Sequence, residues 1–133
     1  MIYLLTPFAA WLVAVCLKFA INSIKAKKLA FALVGYGGMP SNHTAIVTST
    51  SSMIALQEGL DHPAFAVAIT LAFIVILDAT SLRKNIGKQA QQINILTATQ
   101  TLRERIGHSK LEVAGGIIVG IAVAYAIHII SQL

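Results

Sequence analysis

AFAVAITLAFIVILDATSL, residues 64–82, carries no charge until Asp78 and is otherwise almost wholly aliphatic or aromatic. Roughly 20 apolar residues cross the hydrocarbon core of a bilayer as a helix, so this run reads as a transmembrane span. Two similar runs flank it at a distance, residues 1–22 and residues 111–130. The last contains Gly116-Ile117-Ile118-Val119-Gly120, a small-xxx-small pattern that lets helices approach closely. A further run, residues 41–57, is apolar but interrupted by Thr44, Thr48, Ser49, Thr50, Ser51 and Ser52. Thr44, Thr48 and Ser51 share one helical face, where hydroxyls can bond to a neighbouring helix or back to their own carbonyls.

The whole composition agrees with these runs. Of 133 residues, 56% are hydrophobic and 11% charged, with mean hydropathy +0.77; soluble domains carry about 25% charged residues. The expected architecture is all-α: an integral-membrane bundle of about four transmembrane helices in a single domain, residues 1–133. Between Arg83 and Gly107 the chain turns polar, yet Ile86, Ala90, Ile93 and Leu96 keep a helical period. That pattern predicts an amphipathic helix lying at the membrane surface. The first run lacks a basic segment before it, its first lysine being Lys18, so it reads as a span and not a secretory leader. The lone Cys16 excludes a disulfide framework. The net charge of +5 could suit nucleic acid or anionic lipid; in so apolar a chain it points to lipid.

Charge placement predicts the orientation. Lys18, Lys25, Lys27 and Lys28 flank the first connection, and Arg83, Lys84, Lys88, Arg103, Arg105 and Lys110 flank the third. The second connection has only Glu58 and Asp61 as charges. The positive-inside rule then makes both basic connections cytoplasmic and both termini external, as in a bacterial inner membrane.

On that topology His43, Asp78, Arg83, His108 and Glu112 gather at the cytoplasmic helix ends, with His62 and His128 on the far side. Ionisable residues at membrane spans are often functional. The stretch Gly37-Gly38-Met39-Pro40-Ser41-Asn42-His43-Thr44-Ala45 joins a glycine-rich loop to a helix start. A helix N-terminus presents unpaired N–H groups and partial positive charge, which suits a phosphate. Ordinary structural roles compete. Lys18 can snorkel to the headgroups, Asp78 can be a counter-ion for Arg83 or Lys18, and Glu112 completes Ser109-Lys110-Leu111-Glu112, a capping-box pattern. Glu112 also lies four residues after His108, within reach if the helix extends back that far. The histidines and carboxylates lack a metal-ligand spacing, so neither a metal nor a cofactor is expected.

Pro40-Ser41-Asn42-His43 resembles the PSGH signature of the type 2 phosphatidic acid phosphatase superfamily, which includes vanadium-dependent haloperoxidases. His108 to Glu112 resembles its nucleophile motif, a histidine followed four residues later by an acid. GGMPSNHTA, DATSLRKNIGKQAQQIN and GHSKLEVAGG together are similar to the small divergent bacterial and plant branch of that superfamily. The resemblance implies a metal-independent lipid phosphate or polyprenyl phosphate phosphatase. His108 would be the nucleophile, Glu112 would orient its ring, and His43 would protonate the leaving alkoxide. Ser41 and Asn42 would help to cradle phosphate, Lys18 and Lys25 would echo a lysine–arginine motif, and Arg83 or Arg103 would stand in for an arginine whose usual place is taken by Leu102. Asp78 would support the site. The motif departures leave two other functions open, a non-catalytic protein that binds anionic lipid and a small anion transporter subunit. Since the superfamily fold has six helices, a second copy of the chain could cover an exposed bundle face.

Overall fold

A computed structural model describes residues 1–27 and 38–133; Lys28 and Gly37 lie outside the described residues. All regular structure among them is helical: α1 (Ile2–Ala26), α2 (Asn42–Glu58), α3 (Pro63–Leu77), a π-helical turn (Asp78–Leu82), α4 (Arg83–Thr97) and α5 (Lys110–Ser131). Among the described residues three helical stretches, against the four spans expected, are long and apolar enough to cross a membrane: Ile2–Ala26, the continuous Pro63–Thr97, and Lys110–Ser131. Their outward residues, among them Leu12, Phe73 and Ile118, are exposed large apolar side chains, as a lipid-facing surface requires.

The most polar of the four bundle helices sits at the centre. α2 packs against α1, α3 and α5 and buries Thr44, Ala45, Ser49, Ser51 and Met53. Its hydroxyls bond backwards along their own helix: Ser49 donates to the Ile46 carbonyl at 2.8 Å, Thr50 to the same carbonyl at 3.2 Å, and Ser51 to the Val47 carbonyl at 2.8 Å. Each satisfies its donor locally, so the faces of α2 are free to pack on small residues. α1 offers Thr6, Ala10, Ala14 and Lys18, one per turn along a single buried stripe. α3 offers Ala68 and Ala72.

α5 meets α2 most closely, and glycine makes that possible. A Cβ at Gly116 would lie 2.6 Å from the Ser41 carbonyl oxygen and 2.8 Å from Thr44 Cβ; one at Gly120 would lie 2.8 Å from the Ala45 carbonyl oxygen. The GxxxG pattern is thus spent inside the chain, against α2. Gly116→Ala is expected to lower stability by about 1–3 kcal/mol, as overpacking does. Gly115→Ala, whose added carbon would meet the flexible Met39 side chain at 3.1 Å and Pro40 Cβ at an ordinary 3.6 Å, should be nearly neutral. Unfolding of both variants in detergent by denaturant titration checks the contrast, and equal effects would contradict the packing argument.

Of the segment 83–107 expected to be one amphipathic helix, only residues 83–97 are helical, and α3 continues into them through the π turn with αR dihedrals at both junctions. Of the expected apolar face, Ala90 is buried while Ile86, Ile93 and Leu96 are exposed. The buried face of α4 is Gly87, Ala90 and Asn94. The extended chain that follows Ala98 runs back over it: Asn94 Nδ2 donates to the Leu102 carbonyl at 2.8 Å, and a Cβ at Gly87 would collide with the Glu104 carbonyl oxygen. This returning strap, residues 98–109, delivers His108 to the bundle.

Candidate active site

The two ends of the bundle can be told apart by their side-chain pairs. At one end Tyr3 donates to Glu58, and Gln57 meets His128 Nδ1 at 3.0 Å. His62, between α2 and α3, caps α3 by accepting from the Ala64 N–H at 3.2 Å. About 22 Å along each helix, at 1.5 Å per residue, lie Lys18, His43 and Glu112 at the other end. The grouping of histidines expected from sequence, two at the site and two remote, is the grouping observed.

The N-termini of α2 and α5 are joined directly. Ser41 is the N-cap of α2, and its own N–H donates to the Glu112 carbonyl at 2.9 Å. The Ser41 hydroxyl accepts from Thr44 Oγ1 at 3.0 Å and, at 3.4 Å, from the Thr44 N–H. It is fully buried, so it organises the helix start from inside. Asn42 opens the helix; its Oδ1 is buried and has no hydrogen-bond partner among the described residues. His43, one residue on, is exposed.

His108 precedes α5, whose N-cap is Ser109. Its N–H donates to the Ala79 carbonyl in the π turn at 2.9 Å, and the residue is 8% exposed. Glu112 Oε2 reaches back over the cap to two donors, the Ser109 N–H at 2.9 Å and His108 Nδ1 at 3.1 Å. Ser109 Oγ accepts from the Glu112 N–H at 3.2 Å, completing the capping box. The helix does not extend back to His108, yet ring and carboxylate meet, so one oxygen both caps α5 and holds the imidazole. A carboxylate accepting at Nδ1 places the ring proton there and leaves the Nε2 lone pair available.

The two imidazoles face each other with centroids 6.3 Å apart and planes tilted by 55°. Arg83, Lys18 and Asp78 lie close enough for their charges to act on His43, and Glu112 lies close enough to Lys18 to act on it too. Lys18 is 9% exposed, the last member of the buried α1 stripe, with its stem packed in the bundle. Arg83 Nε donates to Asp78 Oδ2 at 2.5 Å across the π turn; its terminal nitrogens are what it can offer a ligand.

Two other candidate cations are placed differently. Lys25 is exposed in the last turn of α1, about 10 Å beyond Lys18 along the helix. Arg103 is exposed on the strap, where its Nε donates to the Arg105 carbonyl at 3.3 Å. Arg105, not singled out from sequence, is the strap cation whose charge acts on Glu112. Its closeness depends on the path of an extended segment, which leaves no period to read. The structure therefore brings together His43, His108, Glu112, Lys18, Arg83 and Asp78 around the α2 N-terminus.

No solved structure matches this chain. The uncharacterized membrane protein YuiD of Bacillus subtilis (strain 168) is 37% identical over 139 aligned positions, covering 89% of this chain and 88% of that protein. The profile of the Divergent PAP2 family matches residues 2–123. Nearly the whole bundle and every residue of the histidine cluster lie inside that match, and the chain belongs to the Divergent PAP2 family.

Proposed function

We propose that this protein is a membrane-embedded phosphatase that cleaves lipid phosphates, either monoesters or polyprenyl pyrophosphates, through a phosphohistidine. The observation that carries the reading is the Glu112–His108 pair at 3.1 Å set opposite His43, with ring centres 6.3 Å apart. A phosphoryl group between the rings is within reach of both. His108 Nε2 attacks phosphorus, an N–P bond forms and the P–O bond to the lipid breaks. His43, in its protonated form, gives its proton to the departing alkoxide. In the second step His43 takes a proton from water, whose oxygen bonds to phosphorus as the N–P bond breaks. Splitting one displacement into two in this way is the advantage of a covalent intermediate. Lys18, Arg83 and the N–H groups opening α2 would stabilise charge on the phosphoryl oxygens. Asp78 fixes Arg83; Ser41 and Asn42 form the helix start on which His43 stands.

A greasy groove supports a lipid substrate. It has a volume of about 430 Å³ between α2, α3 and α5, with Thr48, Ile69, Phe73, Ile76, Ile117 and Ile121 among its walls. Its near end, at Thr48 and Ile76, is about 8 Å along α2 from His43 and 3 Å along α3 from Asp78, so a hydrocarbon tail laid there leads its phosphate to the histidines. Purified protein in detergent should release inorganic phosphate from at least one member of a panel of phosphatidic acid, phosphatidylglycerol phosphate and polyprenyl phosphates. Saturable binding with no release would establish a lipid-binding protein in place of an enzyme, and vectorial anion uptake into liposomes a transporter.

The same reading places the site in the cytoplasm. With α2 enclosed as the fourth crossing, both basic connections lie inside and both termini outside. In a Cys16→Ser background, His62→Cys should react with an impermeant maleimide on intact cells and Lys88→Cys should not. The reverse pattern would put the histidines on the external face.

A further inference from the structure

We infer that Asn94 is a positioning residue for His108, acting from the far end of the strap; the inference rests on the reading of His108 as nucleophile. Asn94 is 4% exposed in a helix whose neighbouring side chains Ile93 and Ile95 are exposed. Its amide makes three hydrogen bonds, all to the strap: Nδ2 to the Leu102 carbonyl at 2.8 Å, Nδ2 to Glu104 Oε1 at 2.8 Å, and Oδ1 from the Leu102 N–H at 3.1 Å. One side chain thus pairs with both backbone groups of Leu102, as a strand neighbour would.

The strap then runs antiparallel to α4 and meets it at successive points. Glu104 crosses Gly87 at backbone contact. Gly107, at φ +93°, lies against Ala79 and Lys84, where a Cβ would come within 3.1 Å of three atoms. His108 ends the run on the Ala79 carbonyl at 2.9 Å. Along the helix axis Asn94 and Ala79 are about 22 Å apart at 1.5 Å per residue, less the backward lean of a helical side chain. The chain from Leu102 to His108 reaches about 21 Å when fully extended, and a tight turn at Glu104–Ile106, closed at 3.1 Å, shortens it. The strap has little slack. Whatever holds Leu102 therefore sets how far His108 can stray from Glu112 and His43. Freed at Asn94, the strap would gain the length of residues 98–101, and His108 would keep only its hold on Ala79 and Glu112.

The test pairs a structural readout with a kinetic one. Asn94→Ala should raise hydrogen–deuterium exchange across residues 102–108 at least tenfold while leaving α2 and α5 protected. It should lower kcat about 10- to 100-fold with KM changed less than about threefold, because a 1 Å misplacement of a reacting group is felt on that scale. Asn94→Asp should be as damaging, since it sets a carboxylate against both acceptors that Nδ2 now serves, the Leu102 carbonyl and Glu104. Unchanged exchange at 102–108 in Asn94→Ala, or faster exchange with unchanged kcat, would overturn the inference. If the wild-type protein releases phosphate from no lipid phosphate, the proposed function fails, and exchange at His108 alone then decides whether Asn94 holds it.

Discussion

His108→Ala should eliminate the phosphoenzyme and lower kcat by at least about three orders of magnitude, the scale on which removing a nucleophile acts. Brief exposure of wild-type protein to a radiolabelled lipid phosphate, followed by denaturation, should trap label that is acid-labile and base-stable, as an N–P bond is. The variant should trap none. Glu112→Gln makes the sharper companion. Glutamine also closes a capping box and can still accept from the Ser109 N–H that Glu112 Oε2 now engages at 2.9 Å, so the helix start should survive. What is lost is the negative charge facing His108 at 3.1 Å, which favours the Nδ1–H tautomer and supports positive charge on the ring as the N–P bond forms. A kcat loss of about 10²-fold or more with an unchanged unfolding midpoint is expected, following the orienting role of a carboxylate behind a catalytic histidine. Full activity in Glu112→Gln would reduce Glu112 to a helix cap.

That pair also shows what could be read in advance and what could not. The spacing from His108 to Glu112 is compatible with a capping box and with a helical side-chain pair. In the fold they are one arrangement, because the helix begins after His108 and the carboxylate folds back over its own cap. Sequence spacing alone cannot distinguish contact across a helical turn from contact over a helix end. The apolar runs revealed the membrane helices because burial in lipid leaves its mark on every outward residue. They did not reveal that α2 is the central helix. Its serines and threonines lower its hydropathy, and only their bonds back to Ile46 and Val47 make them compatible with burial on several sides.

The strap was illegible for a different reason. Extended chain packed on a helix carries no 3.6-residue signal of its own; its traces are left on the partner helix instead. Gly87 in mid-helix is destabilising by about 1 kcal/mol relative to alanine unless something must come close there, and Glu104 does. Asn94 sits in the same helix, where asparagine is a poor helix former. Read together, these two residues mark a face that another segment covers. The apolar period of Ile86, Ala90, Ile93 and Leu96 pointed to a neighbouring face and so to a membrane surface alone.

His43→Ala should separate substrates by their leaving groups. A general acid contributes about 10²–10⁴-fold when the leaving oxygen is basic, as the alkoxide of a lipid phosphate is. The variant should therefore lose about that much kcat on phosphatidic acid. On an activated aryl phosphate, whose leaving group departs without a proton, formation of the phosphohistidine should stay within about tenfold of wild type, and label should accumulate if its hydrolysis slows. The geometry makes the assignment directional: His108 is held at Nδ1 by Glu112 and at its N–H by Ala79, whereas His43 stands exposed at the first turn of α2. A ring fixed from behind suits attack along one line, and a ring at a helix start, open to water, suits carrying a proton in and out. If His108→Ala still traps phosphate on the protein and His43→Ala does not, the two histidines have exchanged roles. The phosphoryl group would then enter from the α2 side, and Asn94 would lose its influence on the first chemical step.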